Sequence, residues 1–280
     1  MPELPEVETV RRQLEPRLVG RRITDAGAFA SGKFTPAVET TGAAIIAVGR
    51  RGKYLLFGLD DDRELVGHLG MTGSFGFRPT SDGPLTPGGA DHPHLRAWWL
   101  LDGTDAEGEA EEFLVFVDIR RFGRLRVVPR GDYGDIPTLA AAGPEPFDPA
   151  LNAATFHRAL AKSRRPVKTN LLSQRPIAGV GNIYADEALW LAGINPRRTR
   201  VGRDRAGDLL DALRAVLRQG IDNGGTTLRD YRNADGGEGS NQRQLAAYGR
   251  GGEPCLRCGA EMRRTVIDQR ATTWCAHCQR

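Results

Sequence analysis

Apolar residues recur at helical spacing over residues 5–19, where Val7, Val10, Leu14 and Leu18 share one face. The chain is therefore expected to open with an amphipathic helix that Pro16 kinks near its end and Gly20 stops. The period then changes. From about residue 23 to 128, short β-rich runs follow one another at residues 43–48, 53–59, 64–69, 95–101, 113–117 and 125–128. Gly, Pro and Asp separate these runs, and residues 78–93 read as a long loop, which predicts an antiparallel sandwich or barrel. Residues 129–149 carry five prolines and three glycines and have little periodicity, so a linker is expected there. Beyond it, residues 153–162, 167–174, 183–192 and 204–222 carry helical patterns. The expected class is α+β: a sandwich domain over 1–130, a linker over 131–149, a helical domain over 150–250 and a terminal hairpin segment over 251–280.

Charge divides the same two halves. The net charge is +4, yet residues 151–280 hold 22 basic against 12 acidic side chains, leaving 17 against 23 in residues 1–150. Six of those acids lie in the stretch 102–112, which reads as a solvated hairpin tip. A basic half is suited to a polyanion, although basic surfaces also serve solubility alone. No apolar run is long enough to span a bilayer, and the acidic start lacks the order of a signal peptide, so a cytosolic protein is expected; a monomer is expected as well.

All four cysteines fall near the end, as Cys255-x-x-Cys258 and, sixteen residues on, Cys275-x-x-Cys278. Two such pairs present four thiolates to one tetrahedral Zn²⁺. Four protein ligands leave no open position, so the metal is expected to be structural and not a source of activated water. The segment between the pairs should form a hairpin with Arg270 near its tip.

Two further stretches carry candidate chemistry. Met1 ahead of a small residue is commonly trimmed, which would expose Pro2 as a secondary amine with Glu3 beside it. An α-amino group has a reference pKa near 8, so roughly 10% is uncharged at pH 7, far more than for a lysine. The same residues also suit a plain helix start, with Pro5 in the first turn and Glu3, Glu6 and Glu8 at the positive end of the dipole. The second stretch is residues 168–190, read as helix, tight turns, helix. Gly179 and Gly181 allow close backbone approach there, and Asn182 is placed to cap the next helix.

The runs PELPEVETVRR at the start and GVGNIYADEALW in the second stretch resemble the formamidopyrimidine-DNA glycosylases, bacterial enzymes that excise oxidised purines. The resemblance extends nearly end to end, with the zinc pairs last. It implies a helix-two-turn-helix around Asn182, which would grip the phosphates flanking a damaged nucleotide. Met71 in HLGMTG, and Arg120 with Phe122 in DIRRFG, match the residues that fill the space left by a flipped nucleotide. Lys53 matches a hairpin lysine near the nucleophile, Arg270 an arginine that holds a lesion phosphate, and His68, His92 and Arg164 further DNA contacts.

The implied activity is that of a bifunctional glycosylase and abasic-site lyase acting on double-stranded DNA with 8-oxoguanine opposite cytosine or ring-opened purines. Pro2 would attack the sugar C1′, necessarily as a cationic iminium, Glu3 would protonate the ring oxygen, and β,δ-elimination would follow. Two alternatives stand beside it: an endonuclease VIII-like enzyme for oxidised pyrimidines, and a protein that binds damaged DNA without cutting. The pattern departs from the family in residues 234–242, where Ser240 and Asn241 stand in place of expected aromatics, which leaves base preference open.

Overall fold

The computed structural model describes residues 1–103 and 111–280, so most of the acid-rich stretch 102–112 read as a hairpin tip lies outside the described residues. Two compact units emerge, one from Met1–Ile136 with Gly224–Ser240, the other from Pro137–Asn223 with Asn241–Arg280.

The first unit opens with helix α1 (Leu4–Leu18), which runs through Pro16 and buries Val7, Val10, Leu14 and Leu18. Two four-stranded antiparallel sheets follow. One has the order β1 (Ile23–Ala28), β6 (Leu95–Leu101), β7 (Glu112–Asp118), β5 (Gly73–Pro79). The other has the order β2 (Ile45–Arg51), β3 (Tyr54–Leu59), β4 (Arg63–His68), β8 (Arg124–Pro129). Inward side chains of both sheets and of α1 form one core. Phe75 bridges the sheets, with its ring 5.4 Å from Phe57 on β3 and 4.8 Å from Phe116 on β7. Alternation sends Trp99 into this core and Trp98 to the opposite face, edge-on to Phe113.

Strands β1 and β5 are absent from the sequence reading, and for a physical reason. Their sequences, ITDAGA and GSFGFRP, carry glycines, an aspartate or a proline where apolar alternation would be sought. Gly27 lies beneath the Trp98 indole, where an added Cβ would come within 2.5 Å of the ring, so here glycine marks close packing and not a turn.

The return segment Gly224–Ser240, which the sequence pattern assigns to the helical domain, makes its contacts within the first unit. The Thr226 N–H donates to Glu6 Oε1 at 2.7 Å, and the Tyr231 hydroxyl donates to the Glu6 carbonyl at 3.3 Å. Tyr231 and Ala234 also join the core of the first unit. A burial partner distant in sequence outweighs the local helical neighbourhood.

The second unit contains helices α2 (Pro137–Ala140), α3 (Ala153–Ala161), α4 (Val167–Leu172), α5 (Asn182–Leu191) and α6 (Arg203–Asp222), with hairpin β9 (Arg263–Ile267) and β10 (Arg270–Trp274). The short α2 sits inside the stretch expected to be linker. Helix α6 buries Ala206, Leu209, Leu210, Leu213, Leu217 and Ile221 as one stripe. Among the described residues no helix is long and apolar enough to cross a membrane.

Candidate active site and nucleic-acid interface

In the first unit, Pro2 is buried and Glu3 is only 3% exposed, while Met1 projects outward at 54% exposure. Glu3 is the N-cap of α1. A reciprocal capping box joins it to Glu6: the Glu3 side chain accepts from the Glu6 backbone, and the Glu3 N–H donates to Glu6 Oε2 at 2.7 Å. Glu6 is thereby engaged on both oxygens, the other receiving Thr226. The helix head is a rigid mount for Pro2 and Glu3.

Glu8 ties α1 to the hairpin that carries Lys53. Its carboxylate receives Arg11, Arg12 and Arg50, the last at 3.0 Å. Burial alone would raise the Glu8 pKa, but the hydrogen bonds from Arg11, Arg12 and Arg50 outweigh it and hold the group below its ordinary value. Lys53 itself is 7% exposed, at the turn between β2 and β3.

His68, at the end of β4, lies against the Tyr54 ring at 4.7 Å. The Gly70 N–H donates to His68 Nδ1 at 3.1 Å, which places the proton of the neutral ring on Nε2. Burial first, then the charges of Lys53 and Arg124, push its pKa down to about 4. The unfolded chain therefore binds the proton in preference between the ordinary value of 6.5 and about 4. In that window His68 lowers stability as pH falls, and the folded ring stays neutral at pH 7. NMR titration of its ring protons is expected to show a midpoint near 4. A midpoint close to the free-imidazole value would contradict this placement.

Met71, Arg120 and Phe122 come together on two adjoining loops and point outward. Met71 is 39% and Phe122 48% exposed, so neither is a core residue, and the Arg120 guanidinium lies 4.9 Å from the Phe122 ring centroid. Gly70 adopts φ +63° and touches the Phe122–Gly123 backbone so closely that a Cβ would come within 2.5 Å of it. Asp118, fully buried, fixes the second loop: it accepts from Thr72 Oγ1 at 2.6 Å, from the Arg120 N–H at 3.2 Å and from the Gly123 N–H at 2.7 Å. His92 is half-buried in the loop before β6, where its carbonyl accepts from the Leu95 N–H.

In the second unit, the turn between α4 and α5 is stitched by Gln174, whose side chain accepts from the Gly179 N–H at 2.8 Å and donates to the Val180 carbonyl at 2.5 Å. Asn182 departs from its expected role as a cap. Gly181 is the N-cap, and Asn182 is the first helical residue. Its Nδ2 donates to the Ala271 carbonyl at 3.0 Å, and its Oδ1 has no partner among the described residues. Arg164 is exposed in the loop before α4.

Lys168 carries no sequence signal of a role. It is fully buried, 2.6 Å from Asp186 Oδ1, and donates to the Ala271 carbonyl at 3.0 Å and to Thr272 Oγ1 at 2.8 Å. Asp186 Oδ2 in turn accepts from the Thr273 N–H at 3.0 Å. Burial pushes the Asp186 pKa up to about 6, opposed by the Lys168 charge, so the ion pair persists at pH 7. Asn182, Lys168 and Asp186 together grip three consecutive residues of β10, beginning one residue after Arg270. Nothing in a six-residue helix with a continuous run of buried positions marks its lysine as such a clamp.

Arg270 is exposed and starts β10, paired with Ile267 across a two-residue turn in which Asp268 and Gln269 have φ of +48° and +59°. The sulfurs of Cys255, Cys258, Cys275 and Cys278 lie within 4.8 Å of one another, and those of Cys258 and Cys275 are 3.6 Å apart. A tetrahedron of thiolates about 2.3 Å from a Zn²⁺ has edges of this size, so the four cysteines fit one structural zinc. The Trp190 indole donates to Cys255 Sγ at 3.4 Å, a contact that orients a ligand from outside the metal shell.

A sandwich headed by a buried Pro-Glu pair, a glycine-rich helical turn and a four-cysteine ribbon place the chain among zinc-ribbon proteins. Comparison with known proteins narrows the class. Residues 1–125 match the formamidopyrimidine-DNA glycosylase N-terminal domain, 142–232 the H2TH domain of the same glycosylases, and 252–280 a zinc finger found in FPG and IleRS. The formamidopyrimidine-DNA glycosylase of Thermus thermophilus is 44% identical over 100% of this chain and 98% of its own length. The crystal structure of MutM (FPG) from that organism superposes with a TM-score of 0.87, covering 99% of this chain and 98% of the other. The Lactococcus lactis Fpg in complex with abasic-site DNA gives 0.84 at 35% identity, covering 99% of each chain. The chain belongs to the formamidopyrimidine-DNA glycosylase family.

Proposed function

We propose that this chain is a bifunctional DNA glycosylase and abasic-site lyase that removes 8-oxoguanine opposite cytosine and ring-opened purines from duplex DNA. The observation that carries the reading is the head of α1, where buried Pro2 directly precedes Glu3, and Glu3 is held by a capping box whose second carboxylate, Glu6, is itself locked. Removal of Met1, which projects into solvent, frees the Pro2 nitrogen. That nitrogen attacks C1′ as the base departs, and the proton it sheds neutralises the leaving base. Glu3 supplies the proton to the sugar ring oxygen, and the C–N bond to the base breaks as the ring opens to the iminium. The positive iminium acidifies C2′, whose proton loss expels the 3′ phosphate; loss of the C4′ proton from the resulting conjugated iminium then expels the 5′ phosphate.

Met71, Arg120 and Phe122 occupy the space vacated by the flipped nucleotide, with Arg120 toward the orphaned cytosine. Asn182, Arg270 and Lys53 hold the flanking phosphates, with His68, His92 and Arg164 as outer contacts. For Asn182, the second Nδ2 proton remains for a phosphate after the bond to Ala271. Asn241 cannot serve as a stacking surface over the base, since it is 1% exposed and its Oδ1 accepts from Gln219 and Asn223.

Borohydride reduction during reaction with an 8-oxoguanine:cytosine duplex tests the reading. A covalent adduct mapped to Pro2 is expected. Protein lacking Met1 that forms no adduct on this duplex but does so with oxidised pyrimidines would move it to the endonuclease VIII branch.

A further inference from the structure

Where the C-terminal end of α5, the start of α6 and the zinc knuckles meet, there is a cavity of about 530 Å³. Arg198, Arg200, Arg205, Arg257 and Arg280 line it, and no carboxylate side chain does. Two of the five are held in place. Arg205 Nη2 donates to the Gly193 carbonyl at 2.8 Å, and Arg257 Nη2 to the Leu191 carbonyl at 3.1 Å, with the Arg257 guanidinium 4.6 Å from the Trp190 ring centroid. Each fork keeps further N–H donors for a ligand. Arg198 and Arg200 have no side-chain partner among the described residues and are exposed.

A plain alternative is that these charges neutralise the metal cluster. Four thiolates and one Zn²⁺ carry a net charge of about −2. Five arginines around one concave space carry more positive charge than that neutralisation requires. Beyond the shared residues Arg200, Val201 and Gly202, the cavity adjoins a second of about 420 Å³ that Arg164 and Arg165 line. Gly202, the N-cap of α6, has no side-chain cap, and Asp204 in the first turn offsets part of the positive end of the helix dipole, so the arginines and not the helix start supply the attraction for an anion here. Planar forks in this number suit tetrahedral oxyanions, to which arginine donates in pairs.

We propose that this arginine-lined pocket, which includes neither Asn182 nor Arg270, binds clustered phosphoryl groups. The phosphates belong either to a nucleic-acid strand beyond the lesion duplex or to a free oligophosphate.

The test uses the full chain, zinc-loaded and saturated with a duplex carrying an uncleavable abasic-site analogue, so that the damaged-DNA site is occupied. Tripolyphosphate is titrated calorimetrically into one sample, and a labelled undamaged single strand into another. One equivalent of probe is expected to bind. Arg198→Glu/Arg200→Glu is expected to lower that affinity at least about tenfold while single-turnover cleavage of the lesion duplex stays unchanged. Zinc content and far-UV circular dichroism of the variant establish that it is folded. Binding of the strand alone identifies a nucleic-acid ligand, and binding of tripolyphosphate alone a free one. If neither probe binds the saturated complex, or if the folded double variant binds as the parent does, the proposal is wrong. Cleavage of the lesion duplex is read separately, so its failure would bear on the proposed activity and not on this pocket.

Discussion

Glu3→Gln is expected to slow excision of 8-oxoguanine by about 10²-fold or more, while strand cleavage at a pre-formed abasic site stays within about tenfold of the parent. The substitution keeps an oxygen that can accept the Glu6 N–H, so the helix start survives, and Glu6 still receives the Glu3 and Thr226 N–H groups. What is lost is the proton. Base release needs one delivered to the sugar as the ring opens, whereas an abasic sugar already presents its aldehyde in equilibrium and needs only the amine. Single-turnover rates on the two duplexes separate the steps. Equal losses on both would show that Glu3 supports the position of Pro2 and does not act as an acid.

Removal of zinc should have an effect of similar size by another route. The ribbon's own core is small, with Ala247, Cys255, Met262 and Cys275 buried and Trp190 and Cys278 packed against them. That leaves the metal to supply the folding energy of the segment, and structural zinc contributes roughly 10–16 kcal/mol at neutral pH. Cys275→Ser, or prolonged chelation, is expected to unfold β9 and β10. Lys168 then loses the Ala271 carbonyl and the Thr272 hydroxyl as partners, a buried ammonium left short of hydrogen bonds. Affinity for an abasic-analogue duplex should fall by on the order of 10²-fold, since Arg270 and the backbone held by Asn182 are lost together. Anisotropy titration alongside measured zinc content gives the answer. Full affinity in protein shown to be metal-free would mean that the ribbon contributes little to the interface.

Much of the fold was legible because its elements carry their own periodicity. Helix α1 begins one residue before its expected start, and α6 differs from its expected span by one residue at the start. The zinc pairs were legible for a different reason, since four thiolates at that spacing have few other uses in a chain of this size. What escaped depends on partners far away in sequence. Strand β5 is held by β7 through a register that runs from Gly73–Asp118 to Pro79–Glu112, and nothing local to GSFGFRP announces it. Residues 224–240 belong with α1 because Glu6 and the core accept them. Asn is a common cap, so the sequence favours Asn182 there, yet Gly181 takes that place and the Asn182 amide reaches β10. Lys168 was invisible because a buried lysine is intelligible only once Asp186 and the ribbon backbone surround it.

The buried carboxylate of Asp118 has a kinetic consequence. It fastens the loop that carries Arg120 and Phe122 to Thr72, next to Met71, so all three exposed side chains sit on backbone that is already ordered. If they enter the base stack as proposed, no loop has to find its shape first, and little chain entropy is lost at each attempt. The time spent at each base pair is then set by how readily that pair unstacks. A lesion that weakens its own stacking would announce itself to this protein as a shorter wait.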